Sequence, residues 1–237
     1  KYIVLSTGDH ETSEVRLLPT DDPLAEPILV SARETGREYE VEEHDGTLYI
    51  LTNDDHVNFR LATAPIGDPD NWTTLIAGSD DFYLTDVCTF KNFYVTEGRE
   101  NGLDQVEIRS YEDPAQVERI AFPEASYSAG VDDNPEYDVD KLRLGYASMV
   151  MPNTVFDYHL ADRSLETLKV QEIPSGYDAS QYVTERMMVE VRDGTPVPVS
   201  LVYRKDTKID GSAPLHLYSY GAYGYAVPPS FSTTRLS

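Results

Sequence analysis

Residues 92–114 read NFYVTEGRENGLDQVEIRSYEDP: an apolar-leaning strand, a polar turn centred on Asn101-Gly102, and a second strand ending at an Asp-Pro break. Asn-Gly is a strong short hairpin signal, because both residues tolerate the positive φ that a two-residue turn demands. The same plan recurs at 1–22 (KYIVLSTGDHETSEVRLLPTDD), 47–65 (TLYILTNDDHVNFRLATAP) and 141–163 (KLRLGYASMVMPNTVFDYHLADR). Measured at Tyr2, Leu48, Phe93 and Leu142, the offsets are about 46, 45 and 49 residues, in the range of propeller blades.

Working outward, each pair is followed by a further strand: EPILVSA, WTTLIAG, VERIAFP and LETLKVQEIP. Each pair after the first is also preceded by one: REYEVEEHD, FYLTDVCTF and YSAGVDDN. Turn residues separate them, among them His44-Asp45-Gly46 and Asn53-Asp54-Asp55. Four short strands per repeat predict the four-stranded antiparallel blades of a β-propeller. The first repeat lacks its leading strand, so three complete blades and most of a fourth are expected over residues 1–174. A β-sandwich also supplies many short strands, but the period near 45 residues favours the propeller. Prolines sit mostly in the connections, and no stretch shows sustained helical periodicity.

From residue 175 the repeat gives way. IPSGYDASQ (173–181) reads as a polar linker, and YVTERMMVEVRDGTPVPVSLVYRKD (182–206) as a hairpin turning at Asp193-Gly194. Met187, Val189 and Val191 alternate with Met188, Glu190 and Arg192, and Val197, Val199, Leu201 and Tyr203 continue the pattern. One buried face is expected. In the last stretch, APLHLYSYGAYGYAVPPSFSTTRLS (213–237), Leu215–Tyr220 reads as a buried strand opening into a turn at Gly221 and Gly224. Backbone N–H groups and tyrosine hydroxyls at such a sheet edge can stabilise an oxyanion. A Tyr/Gly-rich packing turn accounts for the same pattern.

Composition narrows the functional classes. Of 237 residues, 42 are acidic and 19 basic, a net charge of −23. That balance argues against nucleic acid and anionic membrane surfaces as partners. It fits a solvated acidic surface, or attraction of a basic substrate. No apolar run has the length of a membrane span. The single cysteine, Cys88, excludes an internal disulfide framework and reads as a core thiol, compatible with a reducing compartment.

The five histidines, His10, His44, His56, His159 and His216, form no metal-spaced pair, and Glu14 stands where a zincin would place its second histidine. The acidic doublets Asp21-Asp22, Asp54-Asp55, Asp80-Asp81 and Asp132-Asp133 lack calcium-loop spacing. No metal or cofactor is expected. Asn71-Trp72-Thr73 is a formal glycosylation sequon. G-x-S-x-G, P-loop and G-x-G-x-x-G motifs are absent, so the chain carries no complete catalytic constellation of its own.

RDGTPVPVSLVY (192–203) resembles the hairpin with which the catalytic domain of the prolyl oligopeptidase family of serine peptidases opens. LYSYGAYGYAVPPSFSTTRLS (217–237) is similar to the strand and loop that follow, IPSGYDASQYVTE (173–185) to the crossover into that domain, and LTNDDHVNFRLATAP (51–65) to a blade. The resemblance covers essentially the whole chain and is greatest for the oligopeptidase B branch. It implies a seven-bladed propeller acting as a size filter over an α/β-hydrolase domain with a Ser/Asp/His triad. It further implies cleavage of short peptides after Arg or Lys without a cofactor.

By position, Tyr220 matches the tyrosine whose hydroxyl helps to bind the oxyanion, and Tyr223 the aromatic lining the substrate pocket. Ser219 stands where the family usually has glycine. The triad and the residues that read a basic side chain are expected beyond Ser237. The resulting expectation is the C-terminal half of a propeller (1–174) joined to the first strands of the hydrolase domain (175–237). The propeller would pack on the hydrolase, short basic oligopeptides would be the substrates, the enzyme would be cytoplasmic, and this chain alone would be inactive. The alternatives are a Pro-specific prolyl oligopeptidase and a non-catalytic propeller that serves as a binding module.

Overall fold

The computed structural model describes residues 1–236; Ser237, the last residue of the expected second domain, lies outside the described residues. Three sheets have four antiparallel strands in chain order: β4–β7 (Tyr39–His44, Thr47–Thr52, Arg60–Pro65, Thr73–Ile76), β8–β11 (Phe82–Thr89, Phe93–Glu100, Leu103–Ser110, Val117–Arg119) and β12–β15 (Tyr127–Val131, Lys141–Ser148, Thr154–His159, Leu165–Val170). A first sheet has three, β1 (Tyr2–Gly8), β2 (Ser13–Pro19) and β3 (Ile28–Leu29). These are the propeller blades that the period predicts, with the incomplete one first. A single-turn 3₁₀ helix, Ala179–Gln181, precedes the hairpin of β16 (Tyr182–Glu190) and β17 (Pro196–Arg204).

The turns follow their residues. Asp45 (φ 45°) and Gly46 (φ 82°) join β4 to β5, and Asn101 (φ 51°) and Gly102 (φ 74°) join β9 to β10. Positive φ at both central positions is the type I′ pattern, whose twist matches the strands it connects. At Asp193-Gly194 only the glycine is left-handed (φ 86°). There Gly194 N–H donates to the Val191 carbonyl, and the Asp193 carboxylate takes the Thr195 N–H at 2.9 Å.

The chain divides into two compact units. One comprises Lys1–Glu100, Gln105–Ile120 and Glu136–Val139; the other comprises Asn101–Asp104, Ala121–Pro135 and Asp140–Ser237. In the first unit, sheet β4–β7 is packed on both faces. Leu48, Ile50, Ala62 and Ala64 meet Val15, Leu17 and Val30 on one side. Tyr49, Leu51 and Leu61 meet Leu84, Val87 and Tyr94 on the other. Two covered faces leave no polar alternation in β5, which explains why LYILT reads as an unbroken apolar run. The Tyr39 hydroxyl closes one seam by accepting the Val15 N–H (2.9 Å) and donating to the Ser31 carbonyl (2.7 Å).

In the second unit, Leu142, Leu144, Tyr146, Phe156 and Tyr158 are buried on sheet β12–β15, with Phe122 and Tyr127 each stacked on Tyr146 and tilted against one another. The hairpin departs from expectation. Its strands pair over nine residues, but Met187, Met188, Val189 and Val197 are exposed and Val199, Leu201 and Tyr203 only partly buried, so neither face becomes core. Alternation sets which residues share a face; burial needs a neighbour to lie against it.

Candidate functional site

Leu215–Tyr220 does not form the expected buried strand. It runs without secondary structure, and Leu215 and Leu217 are each 78% exposed. A strand exists through its ladder, and no described residues pair with this segment. The expected turn does form. Tyr225 N–H donates to the Ala222 carbonyl at 3.2 Å, across Tyr223 (φ 57°) and Gly224 (φ 63°). Glycine takes that conformation freely, whereas a tyrosine there is a genuine outlier, of the kind that clusters at ligand-contacting sites.

The turn presents the two candidate tyrosines differently. Tyr223, at its tip, is 93% exposed. Tyr220 is 50% exposed and is packed edge-on by Tyr225, with ring centroids 5.7 Å apart at 85°. An edge-on contact of this kind stabilises ring placement by about 0.5–1.5 kcal/mol. The Tyr220 hydroxyl has no hydrogen-bond partner among the described residues, and its half-exposed ring is contacted by that of Tyr225. Ser219 avoids the left-handed region, so serine carries no backbone strain where glycine is usual.

The other candidates resolve into local structure. His56 lies 3.4 Å from Asp80 and His159 lies 2.9 Å from Glu166, both exposed carboxylates. His44 stacks on Tyr111 (3.7 Å, 13°), and its Nδ1 meets the Tyr137 hydroxyl. Burial pushes the Cys88 thiol up to about 12, helped by Glu42, Asp86 and Glu97, so it is inert as a nucleophile. Asn71 is tied to Asp68 at 3.2 Å.

Sequence reasoning missed a group of carboxylates in the first unit: Glu40 and Glu42 on β4, and Asp86 on β8. Glu42 is half-buried while Glu40 and Asp86 keep exposed surface; partial desolvation holds all three above the usual carboxylate range, Asp86 raises the two glutamates further, and the Thr89 hydroxyl, 3.1 Å from Glu42, partly offsets this. No ion pair neutralises any of them among the described residues. Glu40 and Glu42 alternate with the core residues Tyr39 and Val41, so they share the opposite face of β4. A register shift between Leu84 and Asp86 re-aims β8 at that point. Glutamates at i and i+2, alternating with Tyr39 and Val41, were the available signal. The doublets in turns are more conspicuous in the sequence and less consequential in the structure.

Residues 1–171 match the family model described as "Prolyl oligopeptidase, N-terminal beta-propeller domain". Over its full length the chain is 36% identical to dipeptidyl aminopeptidase BI of Pseudoxanthomonas mexicana, covering 33% of that protein. It is 32% identical to protease 2 of Moraxella lacunata, covering 34% of it. Among solved structures, oligopeptidase B from Leishmania major superposes with a TM-score of 0.88 at 31% identity, over 99% of this chain and 34% of that one. The chain thus spans about a third of the length of the relatives it matches.

Proposed function

Because the chain belongs to the prolyl oligopeptidase family, we propose that it forms part of a serine oligopeptidase: propeller blades followed by the opening strands of an α/β-hydrolase domain. Tyr220 serves as an oxyanion donor and Tyr223 as a wall of the substrate pocket. The nucleophile, base and acid come from outside these residues, and the blades limit substrate size. The carrying observation is the half-exposed Tyr220 hydroxyl beside Tyr225, without a hydrogen-bond partner among the described residues. A neutral phenol kept free of internal partners is ready to donate when negative charge develops on a carbonyl oxygen, and such donors supply a large share of acyl-transfer catalysis.

Substrates are short basic peptides cleaved after Arg or Lys by a cytoplasmic enzyme. Net charge supports this, as does the unneutralised set Glu40, Glu42 and Asp86, since a field of one sign raises the local concentration of a cationic substrate. The relatives named protease 2 and oligopeptidase B are consistent with it. The 36%-identical relative, named a dipeptidyl aminopeptidase, favours a second reading in which dipeptides are released from an N-terminus.

Hydrolysis of blocked Arg, blocked Pro and free-amine dipeptidyl amides by the complete peptidase separates these readings. Preference for the blocked Arg amide is expected. Cleavage of the dipeptidyl amide alone establishes the second reading. Hydrolysis of none, with the fold intact, leaves a binding module. If kcat/KM for the Arg substrate is unchanged between low and high salt, charge steering is excluded.

A further inference from the structure

We infer that Tyr177 is a positioning residue for the loop that carries Tyr220 and Tyr223, an inference that rests on reading Tyr220 as the oxyanion donor. The chain leaves the β16–β17 hairpin at Lys205 and returns to the hairpin's base at Phe231 and Leu236, all within the second compact unit. Its departure is fixed where Lys205 N–H donates to the Gln181 carbonyl at 2.9 Å. Its return is fixed twice. The Phe231 ring meets Tyr177 edge-on, with centroids 4.9 Å apart at 71°, and the Tyr182 hydroxyl donates to the Leu236 carbonyl at 3.1 Å. Residues 177–182 therefore hold both ends of the loop.

Tyr177 is the centre of this clip because its ring and its hydroxyl have different partners. Besides Phe231, the ring contacts Tyr182, stacked at 5.8 Å and 23°. The hydroxyl donates to the Val150 carbonyl at 2.6 Å, in the loop between β13 and β14. That loop is itself set, because the buried Ser148 hydroxyl accepts the Val150 and Met151 N–H groups at 3.1 and 2.8 Å. Asp178 caps the single turn that follows by accepting the Ser180 N–H at 2.9 Å, which fixes Gln181 relative to Tyr177.

The tether from clip to site is short and stiff. Ala226, Val227, Pro228, Pro229 and Ser230 separate the 222–225 turn from Phe231. Two of the five have φ locked by a proline ring, and Ser230 N–H closes back on the Pro228 carbonyl at 2.8 Å. Val227 to Ser230 are partly buried, unlike the turn tip at Tyr223. Tyr225, whose ring meets that of Tyr220, stands at the start of this tether. A shift of Phe231 is thereby passed to the Tyr220 hydroxyl, where a displacement of about 1 Å caused by a remote change can cost about 10²-fold in rate.

The test is turnover by the complete peptidase carrying Tyr177→Ala, Tyr177→Phe, Tyr220→Phe, or Tyr177→Ala together with Tyr220→Phe. Tyr177→Ala is expected to lower kcat by about 10- to 100-fold with KM nearly unchanged. Tyr177→Phe keeps the ring and is expected to stay within about threefold of the parent. Because Tyr177 acts through Tyr220, the double variant is expected within about threefold of Tyr220→Phe alone. Amides of residues 218–225 are expected to exchange hydrogen faster in Tyr177→Ala than in the parent.

Losses that multiply in the double variant overturn the inference, as does an unchanged kcat in Tyr177→Ala where Tyr220→Phe loses about 10²-fold or more. A Tyr177→Phe loss as large as that of the alanine variant overturns it too, because the ring contact with Phe231 would then hold nothing. Should Tyr177→Ala not fold, Phe231→Leu, which removes the edge-on partner ring and keeps apolar bulk, is read by the same measurements. Should the parent lack activity, or Tyr220→Phe leave kcat unchanged, the oxyanion reading fails and exchange alone judges the clip: unaltered rates at 218–225 overturn it.

Discussion

Sheet β4–β7 and the hairpin β16–β17 are built from the same kinds of residue and have opposite fates. LYILT in β5 and MMVEV in and after β16 are both short apolar-rich runs, paired in register with an antiparallel neighbour. Leu48 and Ile50 are wholly excluded from water, whereas Met187 and Val189 remain about two-fifths exposed. The difference lies outside the strands. Neighbouring sheets cover β5 on both sides, while the hairpin touches its surroundings through Arg186, Pro198 and Ser200 only along parts of its length. Propensity and pairing make a strand; a second layer makes it core.

The largest expected effect breaks that comparison directly. Leu48→Ala or Ile50→Ala is expected to destabilise by about 2–5 kcal/mol, and Val189→Ala by less than about 0.5 kcal/mol, read from urea midpoints. Equal losses would mean that the hairpin is covered in solution. Next comes Tyr220→Phe, in the same sparsely packed region. If its hydroxyl binds the oxyanion, kcat falls about 10²–10³-fold with KM nearly unchanged, and the melting temperature does not move. A loss under about tenfold would remove the assignment.

Tyr39→Phe sharpens the core side. It leaves the Val15 N–H buried without its acceptor, so a loss of about 1–3 kcal/mol is expected, again from urea midpoints. The smallest effect concerns charge. Glu42 has a folded-state pKa raised by burial and by Asp86 and Glu40. Its contribution to stability is therefore fully present below the ordinary carboxylate range, near pH 4, and is lost as pH rises through the raised value. Glu42→Gln is accordingly expected to raise the melting temperature at pH 7 by about 1–3 °C, with no gain near pH 4. A gain independent of pH would refute the electrostatic cause.

The blade plan was legible because it is local and repeated. Asn101-Gly102 and Asp45-Gly46 encode their turns in two residues, and the spacing from Leu48 to Phe93 to Leu142 repeats one unit. Tyr220 and Tyr223 stood out as aromatics beside glycines, and the 222–225 turn formed around Tyr223. The carboxylates Glu40, Glu42 and Asp86 were not legible as a group, because they come together only when β4 and β8 lie side by side. The strand expected at Leu215–Tyr220 failed for the same reason in reverse: its apolar pattern was clear, and no described neighbour pairs with it.

The sequence by itself therefore determined strand periods, turn types and the number of blades, which depend on φ preferences and alternation within a few residues. Tertiary structure alone decided which faces became core and which carboxylates came to lie together. Burial and desolvation depend on what lies across a gap of about 10 Å between layers, and that distance in space corresponds to no distance along the chain.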